Sequence, residues 1–160
     1  MNIEYYHASE YGNGAKIAEE FKRIMATNGI AVNVHHVKEV KPKEVPPADM
    51  YLFSSPGRFG KPTKSMRKFL DRISLPAGSR YAILATEMNP QADIAPAGSP
   101  TQGQLGPCQQ VIPIMNEKLQ AKGLKRVHDA KIYVTGLQGP LEKAWQGKVE
   151  EFAKAILNAS

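Results

Sequence analysis

The sequence predicts an α/β fold, a three-layer sandwich in which helices cover both faces of a five-stranded parallel sheet of order 2-1-3-4-5. Three observations predict it. Short apolar runs alternate with longer amphipathic stretches along the chain, the pattern of parallel strands joined by crossover helices. The run Met50-Tyr51-Leu52-Phe53 is apolar without alternation, which suits a strand covered on both faces. The length of 160 residues fits one domain over 1–160, long enough to bury a sizeable core.

Taken in order, Ile3-Glu4-Tyr5-Tyr6 is the first strand. From Asn13 to Thr27, Ile17, Phe21, Ile24 and Met25 recur at helical spacing, and Asn28-Gly29 supplies the stop. Residues 31–37 alternate as a second strand, with His35 and His36 on opposite faces. A turn or short helix is expected over 41–47, ended by Pro46-Pro47. The third strand, 50–53, leads into a helix with Met66, Phe69, Leu70 and Ile73 on one face. Tyr81-Ala82-Ile83-Leu84-Ala85 is the fourth strand, and a Pro- and Gly-rich segment follows from Asn89 to Pro107. Val111, Ile112, Met115 and Leu119 mark the next helix, with Pro113 limiting where it begins. Residues 131–134 form the fifth strand. Pro140 suits the first turn of a last helix whose stripe is Leu141, Trp145, Val149, Phe152 and Ile156.

Composition narrows the function. The net charge of +6 favours anionic partners. Arg58, Lys61, Lys64, Arg67, Lys68 and Arg72 cluster, with Asp71 the only acid among them. No zinc-finger spacing or aromatic strand motif accompanies them, so nucleic acid is not expected. No apolar stretch is long enough to cross a membrane, and the N-terminal residues lack a signal-peptide layout, so a cytoplasmic protein is expected. Cys108 is the only cysteine, which rules out an internal disulfide and a cysteine metal cage. His7, His35, His36 and His128 lack metal-ligand spacing, and no nucleophile–base pair is evident.

In a sheet of this order, ligands bind beyond the carboxyl ends of the strands, where the strand order reverses. That rule selects the loops His7 to Gly14, Ser54 to Gly60 and Glu87 onward, and places Thr135 to Gly139 farther out. The first loop feeds a helix N-terminus, whose free N–H groups can cradle a phosphate. A plain strand–helix turn would look the same. A triphosphate loop is excluded, because Gly14-Ala15-Lys16 lacks the Gly-Lys-Ser/Thr ending. A dinucleotide fingerprint is matched only in part, by Gly12 and Gly14, with Glu39 as the ribose-binding acid. A phospho-receiver reading lacks its acidic residues, since His7-Ala8-Ser9 and Ser54-Ser55 stand where they would be.

Ser9-Glu10-Tyr11-Gly12-Asn13-Gly14 resembles the flavodoxin phosphate loop, Ser/Thr-x-x-Gly-Asn-Thr. Ser9, Gly12 and Asn13 match; Gly14 departs, standing where the family usually has a hydroxyl. Residues 54–73 are similar to the flavodoxin segment in which Ser-Pro leads to an aromatic-Gly-x-Pro turn and a helix. Ser55, Pro56, Phe59, Gly60, Pro62, Met66, Phe69, Leu70 and Asp71 correspond. The resemblance implies a flavodoxin-like FMN-binding protein of the short type. Its phosphate would lie on Ser9, Glu10, Tyr11, Gly12, Asn13 and Gly14. Its isoalloxazine would lie against Ser55, Pro56, Gly57, Arg58, Phe59 and Gly60, with Phe59 on one face and Gly57 free to flip a peptide. The third loop would contribute Glu87, Met88 and Asn89, but it has no aromatic up to Gly106. Met88, Ile94 or Leu105 would cover that face, or it would stay open to a substrate.

The function so implied is electron transfer, extending to an NAD(P)H:quinone-type oxidoreductase. The partner would be a redox protein, acidic to match the basic cluster, or a small acceptor such as a quinone, with NAD(P)H as a further partner. Helix faces leave room for a homodimer without specifying one. Two alternatives stand beside it: a flavodoxin-fold binding module that has lost flavin, and a dinucleotide-binding domain.

Overall fold

The computed structural model describes residues 1–88, 109–136 and 138–159. The strands are β1 (Asn2–His7), β2 (Ala31–His36), β3 (Met50–Arg58), β4 (Lys61–Pro62), β5 (Arg80–Met88) and β6 (Lys125–Val134). The helices are α1 (Asn13–Ala26), α2 (Lys64–Arg72), α3 (Val111–Gln120) and α4 (Trp145–Asn158). Two 3-10 turns, Val37–Glu39 and Pro42–Glu44, fill the connection that the sequence leaves between the second and third strands.

The sheet order is β2-β1-β3-β5-β6, parallel throughout, so the five long strands have the expected order 2-1-3-4-5. One strand was not expected. β4 pairs antiparallel with the end of β3, Gly57 opposite Pro62 and Arg58 opposite Lys61. The reason is local: Phe59 and Gly60 both take positive φ, 53° and 77°, which is what a two-residue type I′ hairpin requires.

Two cores make the three layers. On one face, Ile17, Phe21 and Met25 of α1 meet Val149, Phe152 and Ile156 of α4 over Ile3, Tyr5, Leu52 and Ile132. On the other, Met66, Phe69 and Leu70 of α2 meet Val111, Met115 and Leu119 of α3 over Tyr6, Phe53 and Ile83. Each fully buried side chain of this kind stabilises the fold by about 1.5–3 kcal/mol. Pro113 falls in the first turn of α3, where its missing N–H is harmless.

Several element boundaries differ from expectation: β3 runs five residues past Phe53 to Arg58, and β5 three past Ala85 to Met88. β6 begins at Lys125, six residues earlier than its apolar run, because it is an edge strand and because Val127 bulges out of it opposite Tyr81 and Ala82 of β5. Polar residues suffice where only one neighbour strand exists, and a bulge breaks the alternation. The last helix starts at Trp145, not at Pro140; Leu141 instead bridges back to Val134 and buries its side chain against the α1–α4 core.

Candidate functional site

The strand order reverses at β1, between β2 and β3, and a narrow open cleft, its cavity about 30 Å³, lies there beyond the carboxyl ends of the strands. Its walls are Ser9, Glu10, Tyr11, Asn13 and Gly14 from the first loop and Pro56, Gly57 and Arg58 from the second. Thr86, Met88 and Val134 form its floor. A larger groove, about 710 Å³, runs between the sides of α1 and α4. It is flanked by the Arg23–Glu20 pair along α1 and the Lys154–Glu150 pair along α4, lies away from the strand ends, and is not the site.

The first loop is built on two histidines. Ser9 N–H donates to His7 Nδ1 at 3.2 Å. His36 Nε2 lies 2.8 Å from the Ser9 carbonyl and donates to it, while His36 Nδ1 accepts the Lys38 N–H at 3.1 Å. Both backbone groups of Ser9 are therefore fixed by imidazoles from β1 and from the end of β2. Ser9 Oγ then accepts the Gly12 N–H at 3.0 Å, closing the turn. Gly12 takes φ 94°, and no side chain caps α1. The first turn of α1 carries no acidic residue, so its free N–H groups and dipole face the cleft uncancelled.

Gly14 has a steric reason. A Cβ there would stand 3.2 Å from Ser9 Cβ. The hydroxyl residue usual at this position in flavodoxin loops would crowd the serine that closes the turn. Asn13 points sideways. A Cβ on Gly139, which takes φ 100°, would fall 2.8 Å from Asn13 Oδ1 and 3.0 Å from Nδ2. The β6–α4 loop, expected to lie farther out, therefore packs on the first loop. It is tied by Thr135 N–H to the Pro140 carbonyl at 2.9 Å and Gly139 N–H to the Gly136 carbonyl at 3.1 Å.

Arg58 joins the first loop to the second. Its guanidinium lies 3.3 Å from Glu10 Oε2 and 5.2 Å from the centre of the Tyr11 ring, and Nη1–H donates to the Gly57 carbonyl at 2.9 Å. Gly57 is backed tightly: a Cβ there would meet Val111 Cγ2 at 3.3 Å and Glu87 Cγ at 3.5 Å.

Gly12 turns the first loop without lining the cleft, and four other expected site residues stand elsewhere. Ser55 is fully buried, and its hydroxyl accepts Thr63 N–H at 3.0 Å and donates to the Pro56 carbonyl at 2.9 Å, so it shapes the loop. Phe59 is 100% exposed at the hairpin tip, and Tyr11, 46% exposed, is the aromatic that lines the cleft. Gly60 sits beside Phe59, its carbonyl accepting the Gln110 N–H at 2.7 Å. Glu87 is buried on the α3 side of the sheet, since alternation along β5 turns Thr86 and Met88 toward the cleft. Asn89, Ile94, Leu105 and Cys108 lie outside the described residues. Glu39, the acid of the dinucleotide reading, sits on a 3-10 turn and not in the cleft wall. Thr86, Val134 and Gly139 were missed, because nothing in their local pattern marks them. No group of acidic, histidine or cysteine side chains among the described residues is arranged to hold a metal.

Two titratable groups frame the site. Burial, with His36 and His35 adding to it, pushes His7 down to about 4. The fold thus favours neutral His7, whose Nδ1 must accept the Ser9 N–H. Its contribution is complete above the unfolded value of 6.5 and is lost as pH falls toward about 4. The melting temperature is expected to drop across that window. His7→Asn, whose Oδ1 replaces the acceptor without titrating, is expected to flatten the drop. An unchanged pH profile in that variant would assign the drop to other groups. Burial pushes the Glu87 carboxyl up, opposed by the Lys131 ammonium and the Val111 amide.

No helix among the described residues is long and apolar enough to cross a membrane. No protein-family profile matches the chain, and no curated protein matches it. Solved structures do. A flavodoxin 2 from Bacillus cereus aligns at TM-score 0.75 with 19% identity, covering 100% of both chains. A flavodoxin of Streptococcus pneumoniae TIGR4 aligns at 0.72 with 15% identity, again over 100% of both. The rubredoxin:oxygen oxidoreductase of Desulfovibrio gigas aligns at 0.71 with 14% identity, over 99% of this chain and 35% of that one. The chain has the flavodoxin fold.

Proposed function

We propose that this flavodoxin-fold chain binds FMN in the cleft between its first two loops and serves in electron transfer. One observation carries the reading: an uncapped helix N-terminus with no acidic residue in its first turn shares one cleft with Tyr11 and the Gly57–Arg58 peptide, at the reversal of the strand order.

The residues present fit the group. The free N–H groups opening α1 suit a phosphate dianion. Ser9 Oγ uses a lone pair on Gly12 N–H, which leaves its proton to donate. Gly14 keeps the backbone accessible. Pro56, Gly57 and Arg58 offer peptide groups to a polar ring edge, and Tyr11 offers a flat apolar face. Bound flavin would supply one- and two-electron chemistry that no side chain here provides. The chain's part is to hold the phosphate, to present peptide groups to the ring and to regulate them. Arg58 grips the Gly57 carbonyl, so a flip of that peptide requires Arg58 to release it.

The surface beside the cleft supports a partner of opposite charge. Lys61, Lys64, Lys68 and Arg72 are exposed, and the one acid among them, Asp71, is engaged by Lys118 at 2.6 Å. Phe59 stands at the edge of this basic strip. A bulky residue in the left-handed region is strained, and such strain collects at functional positions. An acidic redox protein fits this surface. Phe59→Asn creates the Asn-Gly pair that the hairpin favours and is expected to raise stability by about 0.5–1 kcal/mol. Denaturant midpoints check it, and a destabilised variant would mean that the ring supports the fold.

Purified protein, stripped and then mixed with FMN, tests the reading. Yellow colour retained through gel filtration, with a raised melting temperature, is expected. Protein that stays colourless and unshifted would contradict it.

A further inference from the structure

Two carboxylates are buried in the sheet, and they are treated differently. Glu4 receives Asn33 Nδ2–H at 2.9 Å and contacts His35 Nε2 at 2.6 Å. Glu87, 4% exposed, has neither oxygen in a well-formed hydrogen bond among the described residues, the Val111 amide and the Lys131 ammonium only approaching it. The nearest cation, Lys131 Nζ, is 3.5 Å from its Oε2 and also donates to Gln109 at 3.3 Å. A buried carboxylate left in this state is costly when ionised, and the fold gains when it takes a proton. Its location makes that useful. Glu87 Cγ lies 3.5 Å from where a Gly57 Cβ would be, so one peptide separates Glu87 from the cleft.

We propose that Glu87 is a proton-uptake group coupled across Gly57 to the charge of the molecule in the cleft, a positioning and tuning residue that does not touch that molecule. The proposal rests on the FMN reading. Two electrons from the redox partner and one proton give a reduced, anionic flavin. The added negative charge raises the affinity of Glu87 for a second proton, which bonds to a carboxylate oxygen from solvent and leaves again when the electrons pass on. Electrons never visit Glu87.

Among the described residues the groups facing it are few. From β6 come Lys131 and Tyr133, the latter its register partner. From β3 come Gly57 and Arg58, whose guanidinium is held by Glu10 and the Gly57 carbonyl. The opening turn of α3, Val111 to Ile114, brings no titratable side chain, only the Val111 amide. Lys131 thus decides where on the pH scale the uptake begins.

The test is the reduction potential of FMN-loaded protein measured against pH, for wild type, Glu87→Gln and Lys131→Met. Wild type is expected to show a pH window in which one extra proton accompanies two electrons. That is a tenfold change in equilibrium constant per pH unit, about 30 mV. Glu87→Gln is expected to lose the window, and Lys131→Met to move it to higher pH. A yellow Glu87→Gln protein with the wild-type slope overturns the proposal and leaves the FMN reading intact. Carboxyl carbon NMR of flavin-free protein gives a second readout. Titration of Glu87 above the ordinary carboxylate range is expected; an ordinary value near about 4.3 overturns the proposal whether or not FMN binds. Failure of wild type to take up FMN overturns the FMN reading, and with it the coupling.

Discussion

Gly139→Ala is expected to lower stability by about 2 kcal/mol and to loosen the first loop together with the last. Two effects combine. The residue takes φ 100°, which an L side chain adopts only under strain. The new Cβ would also fall 2.8 Å from Asn13 Oδ1, so the amide must turn away from the backbone that it packs on. Asn13 is the first residue of α1, and displacing it disturbs the helix N-terminus at the cleft. Denaturant unfolding of Gly139→Ala, Asn13→Ala and the double variant checks the mechanism. Coupling is expected, because Asn13→Ala removes the clash but not the backbone strain. Strictly additive effects would mean that the two loops do not press on each other.

Arg58→Leu is expected to weaken FMN binding about tenfold, equivalent to about 1.4 kcal/mol. The substitution removes three contacts at once: the ion pair with Glu10, the stack over Tyr11 and the bond to the Gly57 carbonyl. The exposed pair with Glu10 contributes little by itself. The larger loss is alignment, since Tyr11 and the Gly57 peptide would no longer be held in one geometry. Arg58→Lys is expected to fall between, keeping the charge but not the planar fork. Fluorescence titration with FMN measures both variants. Wild-type affinity in Arg58→Leu would show that the clamp is ornamental to binding.

Much of this was legible in the sequence, and the parts that were not share a cause. Strands buried on both faces announce themselves by unbroken apolar runs, as at Met50–Phe53, and α1 by its 3.6-residue period. β6 hid its first half because an edge strand with a bulge needs neither apolar residues nor regular alternation. The hairpin at Phe59-Gly60 was invisible because phenylalanine is a poor left-handed residue, so local propensity spoke against the turn that forms. At the site, the first loop could be read from Ser9, Gly12 and Asn13. Its supports could not be: His7 and His36 are far apart in sequence and meet only through the β1–β2 register. The same holds for Gly139 beneath Asn13. Ser55 was expected at the ligand because its dipeptide marks the loop, yet its hydroxyl satisfies the loop's own backbone. Glu87 was expected there by its place after the fourth strand; side-chain alternation along β5 puts it one layer behind.

The central claim is that the first loop holds a flavin phosphate. Paired titrations of the stripped protein with FMN and with riboflavin, which differ by that phosphate, test it most directly. FMN is expected to bind at one equivalent and at least about a hundredfold more tightly, equivalent to about 2.7 kcal/mol. Equal affinity for the two, or no binding of either, would contradict it.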